Sequence, residues 1–292
     1  MSGRTLNGAI ALLVLGNFLA LFSDVLIKWQ GGEVPIFQFV FLRTVCTLVL
    51  IVPFWHQFDQ RARFAGFKIH LIRAHLGLLG VTCMVVALTT LPLATANALF
   101  YAAPVLVMVL SVVFFAERLT WLSGLAVVSG FAGILVILQP VAMTWQGMSG
   151  LVTALALAFG ALLVRKLPQQ QPLMHTAFLS HLLMVPTATA LMLWEGAPWQ
   201  WSMMGTAFGS AFLILCYNLT VLLAYRHVAA NQVTSAEYTG LIWAILLGWI
   251  LFAEVPDVWF IIGSTLIVGP LVLLSLNERK RVRQTRRAAS QL

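Results

Sequence analysis

Arg43 stands near the middle of the apolar run 34–55. There a guanidinium costs about 2.5–3.5 kcal/mol on insertion scales and must face protein or water rather than lipid. Two roles fit it: partner to an anionic group of a substrate, or a brace paired with Asp24, Glu237 or a broken helix end. Glu237 lies two turns inside the end of another apolar run. It is placed to bind a substrate amine, to carry a proton or to serve as the counter-ion of Arg43. Asp24 lies nearer the end of its run, four residues before Lys28, a spacing that pairs the two on one helix face. His181 titrates in the range a relay needs, yet a histidine in such a run is more often a satisfied core residue. Asp24, His181 and Glu237 are therefore the groups able to carry a proton or form an ion pair.

Further polar groups recur at helical spacing. Asn97, Tyr101 and Pro104 share one face of a helix, at spacings of four and seven. His75, Thr82 and Thr89 repeat at seven, as do Asn218 and Tyr225. Asn17 looks inward from the first run, and Trp243 faces either lipid or an aromatic wall. Asn17, Arg43, His75, Thr82, Asn97, Tyr101, Asn218, Thr234, Glu237, Tyr238 and Trp243 form the expected lining of a substrate cavity. The alternative for each is to satisfy a neighbouring backbone group. These groups suit binding rather than bond breaking. His-Glu-x-x-His, Gly-x-Ser-x-Gly, Walker A and glycine-rich dinucleotide loops are all absent, which argues against an enzyme and against ATP-driven pumping by this chain. Cys46, Cys83 and Cys216 fall inside apolar runs as small core residues, without metal-ligand spacing; no cofactor is expected.

The elements that must position these groups come from one unit used twice. An offset of 137 residues sets Phe22 on Phe159, Lys28 on Arg165, Pro35 on Pro172 and Phe41-Leu42 on Phe178-Leu179. The same offset sets Asn97 on Thr234, Tyr101 on Tyr238 and Phe115-Ala116-Glu117 on Phe252-Ala253-Glu254. Beyond the glutamate the offset becomes 139, aligning Gly124 with Gly263 and Gly130 with Gly269. Ten spans follow, near 7–27, 34–55, 71–91, 94–116, 119–139, 147–165, 172–194, 204–225, 231–253 and 257–276. Each approaches the ~20 residues that cross a bilayer. The first resembles a signal peptide, but it is long enough to span and has a partner in the second repeat. The fold expected is an all-α integral membrane protein with two five-helix repeats, 1–140 and 141–278, and a basic tail, 279–292.

Composition leaves little room for a soluble fold. Charged residues are 9% of the chain and mean hydropathy is +0.95, against roughly 25% charged residues in soluble domains. The net charge of +8 forms no folded patch for nucleic acid, since the bases sit in loops and in the tail. With the N-terminus inside, 15 of the 17 lysines and arginines fall on the cytoplasmic side, which places both termini there. Five spans per repeat then force the second repeat to insert upside down. Trp29, Trp55, Trp145, Trp194, Trp199, Trp201 and Trp259 lie at span ends as an aromatic belt. Ala126/Gly130 and Ser129/Gly133 suit close helix packing, and the tail suits anionic headgroups.

With Phe41-Leu42-Arg43 in span two and Phe115-Ala116-Glu117-Arg118 closing span four, the chain resembles the drug/metabolite transporter superfamily, in its ten-helix exporter branch. More narrowly it is similar to bacterial exporters of aromatic and other neutral amino acids. It departs from repeat symmetry where Ser180 stands opposite Arg43 and Val255-Pro256 replaces Arg118. The resemblance implies an inner-membrane exporter working by alternating access. Spans one, three, four, six, eight and nine would line its cavity, with five and ten peripheral. Its implied partners are a small-molecule substrate and membrane lipids, with no obligatory protein partner. An exporter of cationic drugs or other metabolites shares this fold and stands as the alternative. A polytopic enzyme or lipid-handling protein would need a catalytic cluster near one interface, and none is visible.

Cysteine probes introduced at positions 254 and 117 are expected to label from opposite faces, 254 from outside and 117 from the cytoplasm. Labelling of both from one face contradicts the inverted arrangement.

Overall fold

The computed structural model describes residues 5–32, 34–58, 64–116, 120–138, 144–164, 166–168, 171–225, 236 and 238–289, with backbone alone at 6, 275 and 278–289. The described residues form helices and no strand: α1 (Leu6–Lys28), α2 (Ile36–Ile51) with a 3₁₀ extension (Val52–Gln57), α3 (Phe67–Thr90), α4 (Leu93–Phe100), α5 (Ala103–Phe115), α6 (Trp121–Leu138), α7 (Trp145–Val164), α8 (Leu173–Glu195), α9 (Met203–Tyr225), α10 (Thr239–Phe252) and α11 (Val258–Ala289). Among the described residues, eight stretches are long and apolar enough to cross a bilayer, counting α4 and α5 together as Leu93–Phe115. The apolar parts of α10 and α11, Thr239–Phe252 and Val258–Leu274, are shorter. Helix is what these runs must form, because lipid offers no partner to an unpaired backbone amide or carbonyl.

Departures from straight helix follow from particular residues. The expected fourth span is broken at Tyr101: Ala102 N–H turns back to Leu99 O at 3.0 Å, and Pro104, in the first turn of α5, has no N–H for Phe100 O. α10 likewise starts directly after Tyr238, which lies 137 residues beyond Tyr101. α5 and α10 stop in the same way. Ala116 (φ 50°) and Ala253 (φ 55°) are the non-glycine residues in the left-handed region among those described. Their N–H groups reach back to Ser111 O and Gly248 O, which are again 137 residues apart. A β-carbon makes this conformation costly, and the same cost recurs at both Phe-Ala-Glu sequences.

α1 packs most extensively on α9, α3 on α7, and α2 on both α8 and α9; α6 lies along α11. The α6–α11 contact explains the small residues of span five. A Cβ on Gly133 would sit 2.5 Å from Gly263 O, and one on Gly263 would sit 2.5 Å from Ile137 Cγ1. Ser129 Oγ donates to Leu266 O at 2.7 Å across the same contact. Outward-facing side chains are apolar along most helices, Val113, Val128, Leu135 and Ile250 among them. That is the surface lipid requires. α11 continues as helix through the basic segment to Ala289.

Gly133→Ala and Gly263→Ala are expected to force α6 and α11 apart and to cost about 1–3 kcal/mol each, as overpacked contacts do. Gly269→Ala, with nothing within 4 Å of the added methyl, should leave the melting midpoint unchanged. Equal midpoints for all three variants would show that the close approach contributes nothing.

Candidate functional site

Arg43 projects from α2 into the bundle, and its Nε donates to Ser210 Oγ of α9 at 3.0 Å. Ser210 shares a second hydrogen bond, 2.7 Å, with Ser23 Oγ of α1, and both hydroxyls are fully buried. One face of the guanidinium is therefore fixed to two helices. Nη1 and Nη2 have no acceptor among the described residues, and Arg43 is one of the residues that line a cleft. That cleft encloses about 480 Å³, space continuous with solvent included, and is lined by α2, α3, α8 and α9. Its polar members are Arg43, Thr44, Thr47, His181 and Asn218; Ile51, Met184, Ile214 and Leu215 supply apolar wall.

Local hydrogen bonds set what the polar members can offer. Thr44 and Thr47 spend their hydroxyl protons on Val40 O (2.7 Å) and Arg43 O (2.8 Å), so their oxygens are left as acceptors. His181 Nδ1 donates to Ala177 O at 2.8 Å. A carbonyl only accepts, so the proton lies on Nδ1 and the neutral ring keeps an acceptor at Nε2. The cleft thus combines one fixed positive fork with several acceptors and aliphatic surface.

Asp24 is buried on α1, where its carboxyl faces the Asn97 amide of α4 and the Arg43 guanidinium. It forms no ion pair with Arg43 within 4 Å among the described residues. The expected pairing of Asp24 with Lys28 does not occur. Lys28 turns to Glu254, 2.8 Å away, because that end of α1 meets the end of α10 and carbonyls that close α3. Asp24 is 7% exposed, so its charge must be answered by protein groups.

The remaining expected residues gather elsewhere. Tyr101 and Tyr238 meet with ring centres 6.1 Å apart, and Gly240 makes room, since a Cβ there would run into Tyr101 Oη. Asn17 Nδ2 donates to Ala236 O at 3.0 Å and to Thr239 Oγ1 at 3.3 Å. Trp243 Nε1 donates to Val14 O at 3.3 Å while its ring meets Phe18 edge-on. These contacts fasten α1 to α10, whereas the cleft with Arg43 lies beside α2 and α8. The cleft therefore differs from the lining that the resemblance implied. His75 bridges Leu71 O and Thr187 Oγ1 on an exposed face of α3 and α8. Thr82 Oγ1 and Ser180 Oγ are buried without a partner among the described residues. Thr234 and Glu237 lie outside the described residues. Sequence reasoning missed Ser23 and Ser210, small hydroxyls without periodic company, and the Lys28–Glu254 pair. The recurrence of Glu after Phe-Ala at the end of both runs was the available signal.

Residues 7–139 match the model of the EamA-like transporter family. Over 94% of its length the chain is 26% identical to the pseudopaline exporter of Pseudomonas aeruginosa, covering 98% of that protein. It is 23% identical to the S-adenosylmethionine uptake transporter of Rickettsia prowazekii, covering 94% of each chain. It is 28% identical to the riboflavin transporter of Brucella anthropi, over 86% of this chain and 92% of that one. One crystal structure superposes on 92% of this chain and 98% of its own with a TM-score of 0.61 at 18% identity, a likeness of fold alone.

Ser210→Ala strands Arg43 Nε in an apolar setting and is expected to cost about 1 kcal/mol or more of stability. Ser180→Ala removes a hydroxyl that has no partner and should be neutral or stabilising. Thermal unfolding of the purified variants compares them; the opposite order would contradict the geometry at Arg43.

Proposed function

We propose that this chain, a member of the drug/metabolite transporter superfamily through its EamA-like first half, exports neutral and aromatic amino acids by alternating access. The observation that carries the reading is Arg43, which lines the cleft and is held through Nε while its two Nη groups have no acceptor among the described residues. A planar fork with both terminal nitrogens available matches a carboxylate with two parallel hydrogen bonds. The acceptors at Thr44, Thr47 and His181 suit the ammonium of the same molecule. Ile51, Met184, Ile214 and Leu215 suit an apolar or aromatic side chain. A phosphate ester would call for several bases where the cleft has one. A cationic drug would be repelled by the fixed charge, which disfavours the alternative that shares this fold. S-adenosylmethionine, named for the Rickettsia relatives, also carries an amino-acid group.

The architecture proposed is ten spans as two inverted five-helix repeats, with both termini in the cytoplasm of the bacterial inner membrane. Helix pairing supports it. Exchanging each helix with its counterpart in the other repeat turns the α1–α9 contact into α7–α3 and α2–α9 into α8–α3, and it leaves α2–α8 and α6–α11 in place. Ala116 with Ala253, and Tyr101 with Tyr238, obey the same exchange. A site between halves related in this way is reached from one face and then the other as the halves rock.

Proteoliposomes given a panel of labelled amino acids should take up phenylalanine-like substrates and reject the matching amines that lack the carboxylate. Arg43→Lys keeps the charge but loses the fork, and its affinity should fall about tenfold to a hundredfold, as for a lost charged hydrogen bond. Equal transport of acid and amine by the native protein would contradict this reading.

A further inference from the structure

At the opposite end of α1 from the N-terminus, one ion pair serves two helix ends. Lys28 Nζ lies 2.8 Å from Glu254 Oε1. It also donates to Leu91 O at 2.6 Å and to Leu88 O at 3.5 Å, carbonyls that close α3. Glu254 Oε2 accepts from Leu93 N, the first amide of α4, at 2.6 Å. The cation thus sits where α3 leaves carbonyls unpaired and the anion where α4 leaves an amide unpaired, each matched to the partial charge of that helix end. The side chains are 12% and 20% exposed, so water weakens the pair far less than it weakens a surface ion pair. Lys28 also lies 5.2 Å from the Phe252 ring centre.

The position of the pair matters as much as its strength. α1, α3 and α4 belong to the first repeat, and Glu254 follows α10 of the second. The cleft beside Arg43 extends along Thr47 and Ile51 of α2, Ala177 of α8 and Asn218 of α9, toward the helix ends that loop charge places in the cytoplasm. Among the described residues, the cleft thus lies toward one end of the bundle, and the Lys28–Glu254 pair ties the two halves together at the other. A recess of about 350 Å³, lined by Thr95, Gly248 and Asp257, adjoins Glu254 and has room for its carboxylate once released. The left-handed Ala253 immediately before it holds Glu254 in its present aim at a backbone cost.

We propose that Lys28 and Glu254 form the outer gate of the transport cycle, a latch between α10 and the α1/α3–α4 corner that must part before substrate leaves. The proposal rests on the transporter reading but not on the identity of the cargo. Its polarity is fixed by the backbone. A carboxylate at 28 would face the carbonyls of Leu88 and Leu91, and an ammonium at 254 would face the Leu93 N–H.

The test uses full-length protein in intact cells, with Cys46, Cys83 and Cys216 replaced by alanine and Tyr101→Cys as reporter beneath the latch. The readout is the labelling rate with a membrane-impermeant maleimide added outside, and folding is checked by melting midpoint. Glu254→Gln keeps its shape and an acceptor for Leu93 N–H; it and Lys28→Met should label about tenfold faster or more, the scale expected when a buried hydrogen-bonded charge pair is broken. Lys28→Arg should stay at the native rate. The exchange Lys28→Glu with Glu254→Lys should remain open. A native rate in Glu254→Gln, the variant that decides if Lys28→Met fails to accumulate, overturns the gate, as does an exchange variant that closes normally. Faster labelling without transport of any amino acid would leave the gate standing and remove the proposed cargo instead.

Discussion

Lipid offers no hydrogen bonds, and this constraint organises the chain from end to end. Each apolar run must satisfy its own amides by forming helix, and wherever the ladder stops a specific group has to take over. At α3 and α4 that group is the Lys28–Glu254 pair, which answers Leu88 O, Leu91 O and Leu93 N together. At α2 it is Glu195 from the end of α8, whose two oxygens accept from Phe37 N at 3.1 Å and Gln38 N at 2.9 Å. At Ala116 and Ala253 the chain accepts a left-handed residue so that the last amide can turn back. In the first two of these, the group that answers one helix's end comes from another helix, so the bundle's connections are concentrated at its breaks.

The same scarcity of partners gives meaning to the polar groups in mid-span. Arg43 is held on one side by Ser210 and, through it, by Ser23. Asp24 is near enough to influence it and not in contact, facing Asn97 as well. This division suits a binding group better than a brace, because a contact ion pair would occupy the fork and compete with any incoming carboxylate. Asn17 and Trp243, by contrast, spend their donors on backbone and hydroxyl oxygens between α1 and α10. They position the wall on which the Tyr101–Tyr238 contact rests.

Much of the fold was legible because lipid makes composition and length decisive. The all-helical character and the apolar runs follow from residue type. The break at Tyr101 was less visible, although Pro104 was its signal, since a proline in a membrane helix bends as often as it divides. Partner choice was the part that sequence conveyed least. Lys28 has an acidic residue four positions before it and takes one 226 positions after it instead, because packing brings the ends of α1, α3 and α10 to one point. Ser210 is one serine in an apolar run, and only three-dimensional placement makes it the anchor of Arg43. The cleft beside Arg43 includes Asn218 but not Tyr101 or Tyr238, for the same reason. Ring sizes and cross-helix hydrogen bonds decide which side of the bundle fills.

An experimental structure with a bound aromatic amino acid tests the central claim most directly. The account predicts the ligand's carboxylate about 3 Å from both Nη atoms of Arg43, the distance of a charge-assisted hydrogen bond, with Ser210 still holding Nε. A ligand seated against the tyrosine pair, with the Arg43 fork closed on Asp24, would contradict it.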